Sequence, residues 1–170
     1  WCHAHVLDAL ATVDRLQDSG RFAEAVDSAR RLLNRAQEAG EKAYSQAPYD
    51  LALCMFQLGR ALLGGDDADA GLVSLVDAEQ RFVCLSEAGN ASATRMISVC
   101  VAERADGLWK LGRFDDAAQA FAAIISAAEE RGDRRHAALG VFALGKVQSS
   151  QGLYAEALIT FDAAKKTLAD

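Results

Sequence analysis

The sequence predicts an all-α chain in which eight helices pair as four stacked hairpins, and three observations carry that expectation. The 170 residues include a single proline, Pro48, and are rich in Ala, Leu, Glu, Arg and Gln, which lose little on entering a helix. Glycines fall in two alternating sets, Gly20, Gly64-Gly65, Gly112 and Gly152 against Gly40, Gly89 and Gly132. Each follows a helix-like stretch, where a left-handed C-terminal cap is expected. Between the glycines, apolar residues recur at three- and four-residue spacing, the period of a helix with one buried face.

Taken in order, the first helix is expected over 3–18 and the second over 21–38, ended by Gly20 and Gly40. The third, 47–62, carries Pro48 in its first turn, where a missing N–H costs nothing. The fourth spans 68–87. The fifth, 93–110, has Asn90 or Ser92 as a candidate N-cap. The sixth, 114–130, begins with Asp115-Asp116, negative charge that suits a helix N-terminus. The seventh, 134–150, follows Asp133 as a cap, and the eighth spans 154–168. Short connections make successive helices antiparallel. The expected hairpin units are 1–40, 41–89, 90–132 and 133–170, forming one repeat domain.

The repeat is visible at the turns. Gly20-Arg21-Phe22-Ala23-Glu24-Ala25 parallels Gly112-Arg113-Phe114-Asp115-Asp116-Ala117, and both parallel Gly152-Leu153-Tyr154-Ala155-Glu156-Ala157. Self-similarity at this period indicates a solenoid of helix pairs. With these residues in view the chain resembles the tetratricopeptide repeat (TPR) family. The last unit carries the pattern best, in Val141, Leu144-Gly145, Gly152, Tyr154, Ala157, Phe161 and Ala164. The third has Gly112, Phe114, Ala117 and Phe121, with Ala105 at a small site. The second keeps Leu58-Gly59, Gly71 and Ala78 but lacks the turn aromatic. The first keeps Gly20, Phe22 and Ala25, with Val13 at the small site. The units exceed the family's usual ~34 residues, so the likeness is to a longer-repeat variant.

The resemblance implies a right-handed α-α superhelix in which small residues such as Gly145 and Ala157 let two helices approach. Large ones such as Tyr154 and Phe161 would fill the wedge towards the next hairpin. It also implies that the first helix of each pair lines a concave groove. The positions mapping there are Leu10 and Asp14, Phe56 and Arg60, Ala102 and Asp106, and Phe142 and Lys146, with Trp109 one turn beyond Asp106. Each pair is four residues apart and so shares a helical face. The surface reads as alternating charge beside an apolar rail, suited to a peptide of mixed charge. Two alternatives stay open: Phe56 and Phe142 pack between repeats, or the charges pair with one another. A lysine–asparagine clamp for a terminal carboxylate is not expected beside Asp14 and Asp106.

The formal net charge is −6 and the basic residues are scattered, so no nucleic-acid partner is expected. No apolar run is long enough to span a bilayer and no secretory leader is evident, so a cytoplasmic protein with no membrane partner is expected. Cys54, Cys84 and Cys100 fall among apolar residues, as reduced, buried thiols would. Cys2-His3-Ala4-His5 has metal-ligand types, but they do not share a helical face, and a frayed end is the expectation. His136 is expected in a solvated loop. Asp66-Asp67-Asp69 lacks the later glutamate of a calcium loop, and no phosphate loop or hydrolase motif occurs. No catalytic residue, metal or cofactor is therefore expected.

These readings point to a protein–protein interaction module, a scaffold rather than an enzyme. The alternative is a regulatory or sensor segment of a larger signalling protein, binding a small ligand or its own effector domain. The start at Trp1 without an initiator methionine favours a fragment. Leu158, Ile159, Phe161 and Leu168 are not followed by a polar closing helix, so either further repeats or self-association through the last hairpin is expected.

Overall fold

The computed structural model describes residues 2–169, and among these the only regular elements are eight α-helices. They are α1 (His3–Asp18), α2 (Phe22–Ala39), α3 (Ala47–Gly64), α4 (Ala68–Glu87), α5 (Ala91–Lys110), α6 (Phe114–Glu130), α7 (Arg134–Ser150) and α8 (Tyr154–Ala169). The chain divides into two compact units, Trp1–Cys100 and Val101–Asp170, and the boundary falls within α5.

The turns repeat in structure as they do in sequence. Gly20, Gly112 and Gly152 all take a positive φ, and in each the next residue's N–H reaches back to a carbonyl five positions earlier: Arg21 to Leu16, Arg113 to Leu108, Leu153 to Gln148, each at 2.9 Å. This is the Schellman closure, which satisfies the last carbonyls of the helix. Asn90 caps α5 by accepting from the Ser92 and Ala93 N–H groups, both at 3.0 Å, so Ser92 is not the cap. Asp133 caps α7 through the His136 N–H at 3.1 Å. Asp67 does the same for α4 through the Ala70 N–H at 3.3 Å, which gives one member of the acidic cluster an ordinary structural task.

Gly64-Gly65 departs from the expected cap. Gly65 has φ −96°, outside the left-handed region, so conformational freedom is not why glycine stands there. A Cβ on Gly64 would run into the Phe22 ring. The glycine is small because the aromatic at the start of α2 lies against the end of α3.

In the first unit α1 packs on α2 and α3, α2 on α3, and α3 on α4. Val6 and Leu10 share a cluster with Leu32, Ala36, Leu51 and Cys54. Val13 joins Ala25, Ala29 and Ala61. Ala52, Phe56, Leu75, Ala78 and Phe82 close over Ala93 and Cys100 from the first half of α5. The α3–α4 approach is closest at two facing glycines. A Cβ on Gly71 would lie 2.9 Å from both the Gly59 oxygen and the Leu63 nitrogen, and one on Gly59 would lie 2.8 Å from Leu75.

In the second unit α6 packs on α7 and α7 on α8. A Cβ on Gly145 would meet the Phe161 ring at 2.6 Å, and one on Gly140 would meet Ile125 at 2.8 Å. Phe161 thus packs inside its own hairpin rather than into a wedge beyond it, and its ring also lies 5.2 Å from that of Phe142. Tyr154 fills no wedge either, being 68% exposed. Cys54 and Cys100 are buried as expected, whereas Cys84 is exposed, because its side of α4 faces away from α3. Burial, with Asp50 close by, pushes the Cys54 thiol up to about 12, so it stays protonated and inert.

Gly71→Ala is expected to lower stability by about 1–3 kcal/mol in urea unfolding, although alanine is the better helix former by ~1 kcal/mol. The added methyl would meet backbone atoms, which cannot rotate aside. An unchanged or raised midpoint would contradict this close approach.

Candidate functional site

The positions mapped to a groove behave differently in the two units. In the first, Leu10 and Phe56 are core residues, each 6% exposed, and offer little area to a partner. Phe56 is buried because α3 is covered on several sides, by α1, α2 and α4. Asp14 on α1 and Arg60 on α3 pair with each other at 3.1 Å. Gln57, which the sequence did not single out, completes the group. Its Nε2 donates to Asp14 at 2.7 Å and its Oε1 accepts from Arg60 at 3.2 Å. The Arg60 guanidinium also lies 5.7 Å from the centre of the Phe56 ring. Here the charges serve each other. A half-exposed pair of this kind contributes only ~0–1 kcal/mol, so it joins α1 to α3 more by geometry than by energy.

The second unit is arranged otherwise. Trp109, near the end of α5, donates its indole N–H to Ser150 Oγ at 2.8 Å. Ser150 in turn donates to the Lys146 backbone oxygen at 3.1 Å. The Lys146 ammonium sits 4.2 Å from the centre of the Trp109 ring, a cation–π contact with the indole held in place from behind. Trp109, Asp106, Ala102 and Lys146 are half-buried, while Phe142, one turn before Lys146, is 50% exposed. Among the described residues Lys146 has no ion-pair partner. The indole face lies against one side of the ammonium and leaves N–H donors for something else. Ser150, like Gln57, escapes sequence reading, since a lone serine at a helix end carries no pattern.

The Cys2–His5 segment is not frayed. Cys2 stands at the N-cap of α1, and its carbonyl accepts from the His5 and Val6 N–H groups. His3 Nδ1 lies 2.8 and 2.9 Å from the two oxygens of Asp50, and the Tyr44 hydroxyl donates to the same carboxylate at 2.8 Å. Asp50 is completely buried, and a buried carboxylate needs such donors. Loss of water and the neighbouring carboxylate hold the Tyr44 phenol well above its usual range, so it remains a donor. No group of three or more His, Cys, Asp or Glu among the described residues could hold a metal ion. His136 lies at the start of α7, within the helix expected there, its ring exposed and against Asp133 at 2.6 Å.

A cleft of about 470 Å³ opens in the first unit between the 41–48 segment and α4, lined by Pro48, Met55, Cys84 and Leu85 with Glu41 and Arg81. Glu41 and Arg81 bridge at 2.6 Å. No helix among the described residues is long and apolar enough to cross a membrane. No family model matches the chain, and neither a curated protein nor a solved structure matches it.

His3→Ala removes a donor from a buried carboxylate and is expected to cost about 1–3 kcal/mol. Thermal unfolding beside Cys2→Ala, which touches no buried charge, checks this. Equal stability of the two variants would show that His3 is dispensable.

Proposed function

We propose that this protein is a TPR-like interaction module that binds a segment of a partner protein and catalyses no reaction. The Lys146–Trp109 pair carries the reading: a cation stacked on a fixed indole, beside a half-exposed Phe142, with no carboxylate among the described residues to hold it. This arrangement suits a peptide that places an acidic side chain on Lys146 and an apolar one against Phe142 and the open edge of Trp109. Aromatic area supplies anchoring and the charge supplies selectivity. Asp106, one turn from Trp109 on α5, disfavours a second acidic group nearby, so the preferred segment has mixed charge. The right-handed superhelical winding belongs to the same proposal and rests on the sequence resemblance. A cytoplasmic setting belongs to the proposal too and suits cysteines that form no disulfide among the described residues.

Selection of a displayed peptide library on the wild-type chain tests the reading. Enriched sequences are expected to carry Asp or Glu within a few residues of a large apolar side chain. Lys146→Ala is expected to weaken the selected peptides about tenfold, the scale of one charge-assisted hydrogen bond, with Trp109→Ala at least as severe. Peptides that bind Lys146→Ala and Trp109→Ala as tightly as wild type would remove this surface from consideration.

A further inference from the structure

Helix α4 carries Asp77, Arg81 and Cys84 at four- and three-residue spacing, so they share one helical face. That face lines the cleft of about 470 Å³ in the first unit, together with the 41–48 segment. Pro48, Met55 and Leu85 supply its apolar ground, and all three are half-buried. The volume falls within the ~300–1,000 Å³ of small-molecule sites, and it is more than one lysine or arginine side chain fills.

The walls are held in place without a ligand. Below the cleft the Tyr44 hydroxyl donates to the buried Asp50 at 2.8 Å. At its edge Glu41 and Arg81 bridge at 2.6 Å. Pro48, in the first turn of α3, fixes its own φ. A site already shaped loses less entropy when it is filled.

The charges on these walls do not cancel. Arg81 stands four residues beyond Asp77, yet its guanidinium donates to Glu41. Asp77 is exposed and has no ion-pair partner among the described residues. An organic anion here is repelled by Asp77 and has to displace Glu41 from Arg81. An organic cation meets Asp77 with nothing to displace. The net charge of −6 on the whole chain favours the cation as well.

We propose that this cleft binds a small organic cation with an aromatic body, its charge on Asp77 and its ring against Pro48, Met55 and Leu85. The thioether of Met55 suits an aromatic ring. The site lies within the first unit and is independent of the Lys146–Trp109 surface.

Cys84 reports occupancy directly. Its thiol is exposed and lines the cleft, whereas Cys2 is exposed elsewhere, and peptide mass spectrometry follows alkylation of each by iodoacetamide. Naphthylethylamine, a cation at neutral pH, is expected to bind the full chain with a Kd on the order of millimolar. At saturation it should slow alkylation of Cys84 several-fold and leave Cys2 unchanged. Naphthylpropionate has a similar body and the opposite charge, and butylamine has the charge without the ring; both should protect Cys84 far less. Asp77→Asn should weaken the aromatic amine about two- to fivefold, the scale of an exposed ion pair. Asp69→Asn makes the same change of net charge at another exposed position of α4 and should leave binding as it was. Circular dichroism verifies that both variants fold. Unprotected Cys84, or equal protection of Cys84 and Cys2, overturns the proposal. Equal binding of naphthylpropionate, or equal effects of the two substitutions, removes Asp77 from it and overturns it too. So does butylamine that binds as tightly as the aromatic amine, which assigns the cleft to a lysine-like side chain.

Discussion

The structure depends on matching large side chains to missing ones across neighbouring helices. Phe22 lies where Gly64 has no side chain, Leu75 where Gly59 has none, and Phe161 where Gly145 has none. Each contact brings one backbone close to an aromatic or branched side chain, and dispersion falls off steeply if the gap opens by even half an ångström. The helices themselves are ordinary. Turns with the same Schellman closure, at Gly20, Gly89, Gly112, Gly132 and Gly152, set the ends of five of them, and alanine-rich faces let them lie close. What distinguishes one pairing from another is which residue is absent at the crossing.

Polar groups follow the same division between what is closed and what is left open. In the first unit Asp14, Gln57 and Arg60 satisfy one another, and Asp50 is held by His3 and Tyr44. These groups connect α1 to α3 and the 40–46 segment to α3, and their chemistry is spent on the fold. In the second unit the hydrogen bonds from Trp109 to Ser150 and from Ser150 to Lys146 orient an indole whose bound cation still has donors to offer. The contrast is what favours the Lys146–Trp109 surface, and not its counterpart in the first unit, as the place where a partner binds.

Much of the helical layout was legible because two local signals coincide: apolar spacing gives each helix its face, and glycine at the turn gives its end. Both are encoded within a few residues of where they act. What stayed hidden depends on residues far apart in sequence. His3 read as part of a loose end because its partner, Asp50, is 47 positions away. Gly64 read as a cap because its real constraint, the Phe22 ring, belongs to the preceding hairpin. Leu10 and Phe56 share a face with Asp14 and Arg60, but whether that face is open depends on how many helices surround α3, which no single helix's pattern records. The resemblance implies a wedge-filling role for Tyr154, and the described residues put nothing over it.

Small and large residues are coupled energetically across helix pairs, and a double-mutant cycle at Gly145 and Phe161 measures this directly. Gly145→Ala, Phe161→Leu and the double variant would be compared by equilibrium urea unfolding. If the ring occupies the space that the glycine leaves, the alanine costs less once the ring is trimmed, with a coupling of about 0.5–3 kcal/mol. Two effects that simply add, within ~0.3–0.5 kcal/mol, would show that the glycine and the ring do not depend on each other, and the packing rule would fail at its foundation.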